Sequence, residues 1–153
     1  MLSLRSALLL AVALTATLPA VADQAPVASV PAVDLTRYAG KWYEIAAFPM
    51  YFQRHCVGDT TAEYTLRPDG EVTVDNRCRT ASASEHANGR AWAVEGTGNA
   101  QLKVSFFWPF RSDYWIIGLD EAYRWAVVGN PNRKYLWILS RTPQLAPAEL
   151  ERA

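Results

Sequence analysis

The chain has 153 residues, with 15 Lys and Arg against 15 Asp and Glu, so it carries no formal net charge. That balance gives no electrostatic case for nucleic acid or another polyanion as a partner. Half of the residues are hydrophobic, enough for one domain with a core of ordinary size.

Residues 1–22 carry Arg5, an apolar stretch at 7–14 and the small-residue end Ala20-Val21-Ala22, the pattern of a secretory signal cleaved before Asp23. The apolar stretch is too short to span a bilayer. No Cys lies near the cleavage point, so the expected location is periplasmic or secreted, with outer-membrane association but no lipid anchor as the variant. Residues 23–33, rich in Ala, Val and Pro, read as a flexible leader, and the folded domain runs over 34–153. Asp34 is placed to cap a short helical turn ending at Tyr38.

Alternating runs bounded by turn residues then predict eight strands, at 42–48, 56–66, 71–79, 89–95, 102–107, 113–119, 124–129 and 135–140. A Pro-bearing loop at 49–55, the Arg67-Pro68-Asp69-Gly70 turn and a polar loop at 80–88 separate the first four. The turn Gly96-Thr97-Gly98-Asn99, a loop at 108–112, the Asp120 to Tyr123 corner and Asn130-Pro131-Asn132-Arg133 separate the rest. A helix begins at 147–152. Trp42 opens the first strand and Arg141 follows the last. The two can stack only if those strands meet, which closes the sheet and removes its edges. Eight is the smallest strand number commonly closed around a ligand.

In an up-and-down barrel, successive hairpins alternate between the two ends. Gly40, Trp42, Asp120, Tyr123 and Arg141 therefore gather at a closed end. The other loops form a mouth that carries Tyr51, Phe52, Arg54, Trp108, Phe110, Arg111, Arg133 and Lys134. Period 2 selects the inner face: Ala62 and Tyr64; Val72, Val74 and Asn76; Leu102, Val104 and Phe106; Tyr135, Trp137 and Leu139. Glu44 shares the parity of Trp42, but a buried carboxylate needs a donor, so a bulge that turns it outward is the expectation. Rings beside Ala62 and Asn76 leave room for a ligand, and Asn76 requires a polar partner. The bland alternative is a barrel filled by its own side chains, which binds nothing.

Cys56 and Cys78 are the only cysteines, and an even count in an exported chain favours a bridge over two unpaired thiols. They flank the Arg67–Gly70 turn at similar height, at the mouth end. His55 and His86 have no Ser, Asp or Cys arrangement around them that implies a triad, and no spaced metal-ligand set is present. A non-enzyme without cofactor or metal is expected.

Gly40-Lys41-Trp42-Tyr43-Glu44, the Asp120 to Tyr123 corner and Leu139-Ser140-Arg141-Thr142-Pro143 resemble the three conserved blocks of lipocalins. Leu102-Lys103-Val104-Ser105-Phe106-Phe107, Tyr114-Trp115-Ile116-Ile117-Gly118-Leu119-Asp120 and the run 135–143 narrow the likeness to the group of bacterial outer-membrane lipocalins and apolipoprotein D. The resemblance implies an all-β, eight-stranded up-and-down barrel with a short N-terminal helical plug. It places Tyr114 and Ile116 on the inner face. It also implies carriage of a small hydrophobic ligand, a fatty acid or (lyso)phospholipid, with a role in lipid transport or envelope maintenance. Two departures follow: the anchoring Cys of the bacterial lipoproteins is absent, and the family's helix after the last strand is cut short. The apolar outer faces of the sixth and seventh strands are therefore expected to stand bare and to promote a homodimer. The alternative function is a filled barrel that docks a protein or membrane through its mouth aromatics.

Overall fold

Short alternating runs punctuated by turn residues make the chain double back on itself. In the computed structural model, which describes residues 25–153, it does so through eight antiparallel strands. These are β1 Gly40–Ala47, β2 Gly58–Leu66, β3 Val72–Arg79, β4 Ser84–Ala93, β5 Gln101–Phe107, β6 Phe110–Leu119, β7 Trp125–Gly129 and β8 Leu136–Ser140. A short helix α1, Leu35–Tyr38, precedes them, and α2, Pro147–Arg152, follows. Each strand pairs with the next. β8 returns to β1 through Tyr43 opposite Ser140 and Glu44 opposite Leu139, so the barrel closes without an edge. The predicted secretory signal lies outside the described residues.

Backbone pairing departs from composition at three strand ends, running past the expected start at two and falling short of it at the third. The fourth strand starts at Ser84 rather than at 89, because Arg79 pairs with Ser84 and the ladder runs unbroken from there. The sixth starts at Phe110 rather than at 113, with Phe107 opposite Phe110. Two expected mouth loops are thus tight hairpin ends. The second strand starts only at Gly58, which leaves Cys56 in the preceding loop.

The closed end is built on α1 and the two framework residues. Asp34 caps α1 by accepting from the Thr36 amide at 2.9 Å and the Arg37 amide at 3.3 Å. Tyr38 ends the helix buried, and Trp42 packs against it with ring centroids 5.0 Å apart. The Arg141 guanidinium lies 3.7 Å above the Trp42 ring. It also donates to the carbonyls of Lys41 at 3.1 Å, Arg37 at 2.6 Å and Tyr38 at 3.1 Å. Gly40, beside this guanidinium, has a φ of +94°, a left-handed conformation that glycine adopts without strain. At the β6–β7 corner, Asp120 accepts from both guanidinium arms of Arg124 at 2.8 Å, which holds its carboxyl down at about 2. The Tyr123 hydroxyl accepts from the Asp34 amide at 2.9 Å and ties that corner to α1.

Two expectations about the outside of the barrel are corrected. Part of the stretch read as a flexible leader is tied to the barrel. The Val30 amide donates to the Ile116 carbonyl at 2.8 Å, and the Val33 amide to that of Gly98 at 2.8 Å. The outer face of β7 is not bare either, since Trp125 and Val127 are buried. The Trp125 indole donates to Glu149 of α2 at 2.7 Å, and Arg124 pairs with Glu149 at 2.9 Å. This removes the β7 half of the uncovered face from which self-association was inferred, while Trp115 and Ile117 of β6 stay partly exposed.

Candidate ligand-binding site

Because side chains alternate along each strand, one face of every strand points at the barrel axis. Small residues at Ala62, Ala87 and Ala91 stand there among rings, and the interior is not filled. A cavity of about 560 Å³ remains, inside the range of small-molecule pockets, roughly 300–1,000 Å³. Its wall takes Ala62 and Tyr64 from β2, Val74 and Asn76 from β3, Val104 and Phe106 from β5, Tyr114 from β6, and Trp137 and Leu139 from β8. Ile116, expected beside them, does not reach the wall. It is fully buried in the closed-end cluster with Trp42, Ala100 and Val128, because α1 and the segment before it fill that end.

The floor is aromatic and hydroxylated. Tyr38 from α1, Tyr64 and Tyr114 line it, with the Tyr114 hydroxyl 2.8 Å from each of the other two. Burial pushes all three phenols up, Tyr64 to about 12, so they stay neutral.

A polar ledge stands on the β1–β8 side. Glu44 faces inward, which corrects the outward turn expected of it. The bulge in the β1–β8 ladder falls after Glu44, between it and Ala46. The donor it needs comes from Gln53, in the 3-10 turn Tyr51–Gln53, whose side-chain nitrogen donates to Glu44 at 2.9 Å. The Gln53 oxygen in turn accepts from the Trp137 indole at 3.3 Å. Burial raises the Glu44 carboxyl above its ordinary value, and the Gln53 hydrogen bond opposes this in part. On β3, two strands round from β1, the side-chain oxygen of Asn76 is buried with no hydrogen-bond partner among the described residues.

At the mouth, Cys56 and Cys78 are joined in a disulfide that staples the 49–57 loop to β3. Beside it His55 and Glu85 meet at 2.9 Å, and His86 also borders the cavity. Phe52 lines the opening and packs on Tyr135 at 5.6 Å between centroids. The other mouth residues lie away from the cavity wall. Tyr51 is exposed with Arg54 over its ring at 4.2 Å, and Arg111 lies 5.7 Å from the Trp108 centroid. Arg133 donates to the Ala25 carbonyl, and the Lys134 amide to Asn132 at 2.9 Å. At the β5–β6 tip Phe107, Trp108 and Phe110 are 80, 68 and 77% exposed.

Sequence reasoning missed Tyr38, Gln53, Glu85 and Val128 as wall residues. Tyr38 and Gln53 sit outside the strands, where period 2 does not reach, and Glu85 was assigned to a loop. Val128 was legible only once the β7 parity was settled by its pairing with Trp137. The only cluster of three His, Cys or acidic residues close enough to hold a metal, among the described residues, is His55, Cys56 and Cys78. Both of its sulfurs are committed to the disulfide, so no thiolate is available to a metal.

A family model described as a lipocalin-like domain matches residues 33–153. The chain is 43% identical over 122 residues to the outer membrane lipoprotein Blc of Vibrio cholerae, across 78% of this chain and 71% of that protein. It is 33% identical over 123 residues to apolipoprotein D of Bos taurus, across 74% of this chain and 64% of that one. Among solved structures it is similar to insecticyanin from the tobacco hornworm Manduca sexta. There the TM-score is 0.67 and the identity 23%, over 82% of this chain and 72% of that one, a likeness of fold alone.

Proposed function

The chain belongs to the lipocalin family, whose members bind small hydrophobic ligands, and from that premise we propose that its barrel holds one elongated lipid, a fatty acid or (lyso)phospholipid. The observation that carries this reading is the cavity of about 560 Å³, walled by Val74, Val104, Phe106, Trp137 and Leu139. Each methylene buried there gains roughly 0.8 kcal/mol. An ionised head group taken to the floor would lose its water without gaining a cation. The head therefore stays at the mouth, by His55, His86 and Thr60, and the chain runs toward the closed end. The role that follows is lipid carriage or envelope maintenance by an exported protein. A barrel that serves only as a filled docking module is disfavoured by the same cavity.

Native mass spectrometry and lipid extraction of freshly purified protein test this reading. Co-purifying acyl lipid that a fluorescent fatty acid displaces is the expected result. Repeated absence of lipid, together with no saturable uptake of the probe, would refute it.

The exposed aromatic tip favours a second role for the mouth. Phe107, Trp108 and Phe110 project beside Arg111, and aromatic and cationic groups together suit the interface of an anionic bilayer. We infer that this tip touches the membrane during loading. Trp108→Ser combined with Phe110→Ser should weaken association with anionic vesicles. Unaltered vesicle binding by that variant would remove the role.

A further inference from the structure

Three phenols meet at the floor of the cavity, and their hydrogen bonds do not balance. The Tyr114 hydroxyl lies 2.8 Å from that of Tyr38 and 2.8 Å from that of Tyr64. A phenol has one proton to donate. Two contacts among three hydroxyls consume two protons, whichever way each bond runs, so one O–H is left over. No further side-chain or backbone acceptor engages the trio among the described residues. Its cross-strand neighbours are apolar: Val74 stands opposite Tyr64, and Leu102 opposite Tyr114. Ionisation does not relieve the surplus, because burial holds all three phenols neutral.

A buried donor without an acceptor is costly, and all three tyrosines, although packed into the core cluster, also line the cavity. The acceptor that suits it is uncharged. The nearby Arg141 guanidinium is occupied by the carbonyls of Arg37, Tyr38 and Lys41. The histidines that border the cavity stand at the disulfide end. A carboxylate or phosphate at the floor would therefore be stranded, whereas a ketone or ester oxygen would accept a hydrogen bond from the spare O–H without bringing a charge to the floor.

We propose that Tyr38, Tyr64 and Tyr114 form a floor subsite for a neutral carbonyl oxygen near the inserted end of the ligand, so that the barrel selects apolar chains oxygenated at both ends over chains whose inserted end is hydrocarbon alone. This rests on the reading that the cavity takes an elongated lipid, and the test separates the two.

The probes are a saturated fatty acid and the same acid with a ketone beside its terminal methyl. Affinities of both are measured by displacement of one fluorescent fatty acid, in the wild-type chain and in the triple variant Tyr38→Phe, Tyr64→Phe, Tyr114→Phe. The readout is the ratio of the two affinities within each protein, so a general change in affinity divides out. The wild-type chain should favour the ketone acid by about two- to tenfold, the range of one net hydrogen bond. The triple variant should reverse that preference, because its floor strands the ketone without a donor. Equal affinities in the wild-type chain would overturn the subsite while leaving the carrier reading intact, as would a ketone preference that survives in the triple variant. Should neither acid bind the wild-type chain, the carrier reading falls and the subsite with it. The wild-type ratio needs no variant, so a triple variant that fails to fold leaves the proposal open to refutation.

Discussion

Arg141 and Glu44 are both charged side chains turned toward apolar surroundings, and they are handled in opposite ways. Arg141 is spent on structure: it covers the Trp42 ring and satisfies three carbonyls of the α1–β1 connection. Charge-assisted hydrogen bonds and a partly desolvated cation over an indole are each worth about 1–3 kcal/mol. Arg141→Ala is therefore expected to cost about 2–4 kcal/mol in denaturant unfolding while the order of preference among lipids holds. A variant of unchanged midpoint and altered preference would place Arg141 in the site instead. Among the described residues Glu44 has only Gln53 as a donor, and burial raises its carboxyl above the ordinary 4.5. A raised acid costs the folded state most where it is ionised, above its folded value, and nothing below its unfolded value. Glu44→Gln should accordingly raise the thermal midpoint at neutral pH, and the gain should vanish below about pH 4.5. A gain independent of pH would assign the effect to packing.

The 49–57 loop is the element with the least regular structure and the most influence on the mouth. It supplies Phe52 and Gln53 to the opening and is held at one end by Cys56. The bridge to Cys78 spans 22 positions, for which chain entropy gives about 3 kcal/mol. Replacing both cysteines with serine should lower unfolding stability by about that amount and speed ligand release, since the loop then loses its tether to β3. Guanidinium titration and stopped-flow displacement measure the two effects. Unchanged release with lowered stability would show that the loop does not gate the cavity. Element types were legible throughout, but two hairpin ends were not. Residues 80–88 and 108–112 are polar or rich in Pro and aromatics, and composition favours loops there. Cross-strand pairing with β3 and β5 carries the ladders on to Ser84 and Phe110.

At the scale of the molecule, closure lets the interior stay open, because the strands pair in sequence around the ring and β8 returns to β1. Gly89 shows how tightly the wall is fitted. A Cβ there would lie 2.8 Å from the Phe106 ring and 2.9 Å from the Ser105 carbonyl, so β4 leaves room for that ring only as glycine. Phe106 and Trp137 both line the cavity, and a carboxylate placed at either would stand against the acyl chain without a cation. Phe106→Asp or Trp137→Asp should lower fatty-acid affinity by at least a hundredfold, about 3 kcal/mol, in a probe-displacement titration. Retained affinity in both would put the ligand elsewhere.

By itself the sequence determined the number of strands, the closure through Trp42 and Arg141, and the Cys56–Cys78 bridge. It also determined the side of β2, β3, β5 and β8 that faces inward. All of these follow from period 2, turn chemistry and pairs of residues whose properties require each other. Only the tertiary structure decided that the interior is a cavity rather than a packed core, since alternation is the same in both. It alone brought Tyr38 from a helix and Gln53 from a loop to the wall, turned Glu44 inward, and paired Arg133 with the Ala25 carbonyl. Period 2 operates along a strand. Where a side chain outside the strands comes to rest depends on which space the closed sheet leaves for it, and no local pattern encodes that.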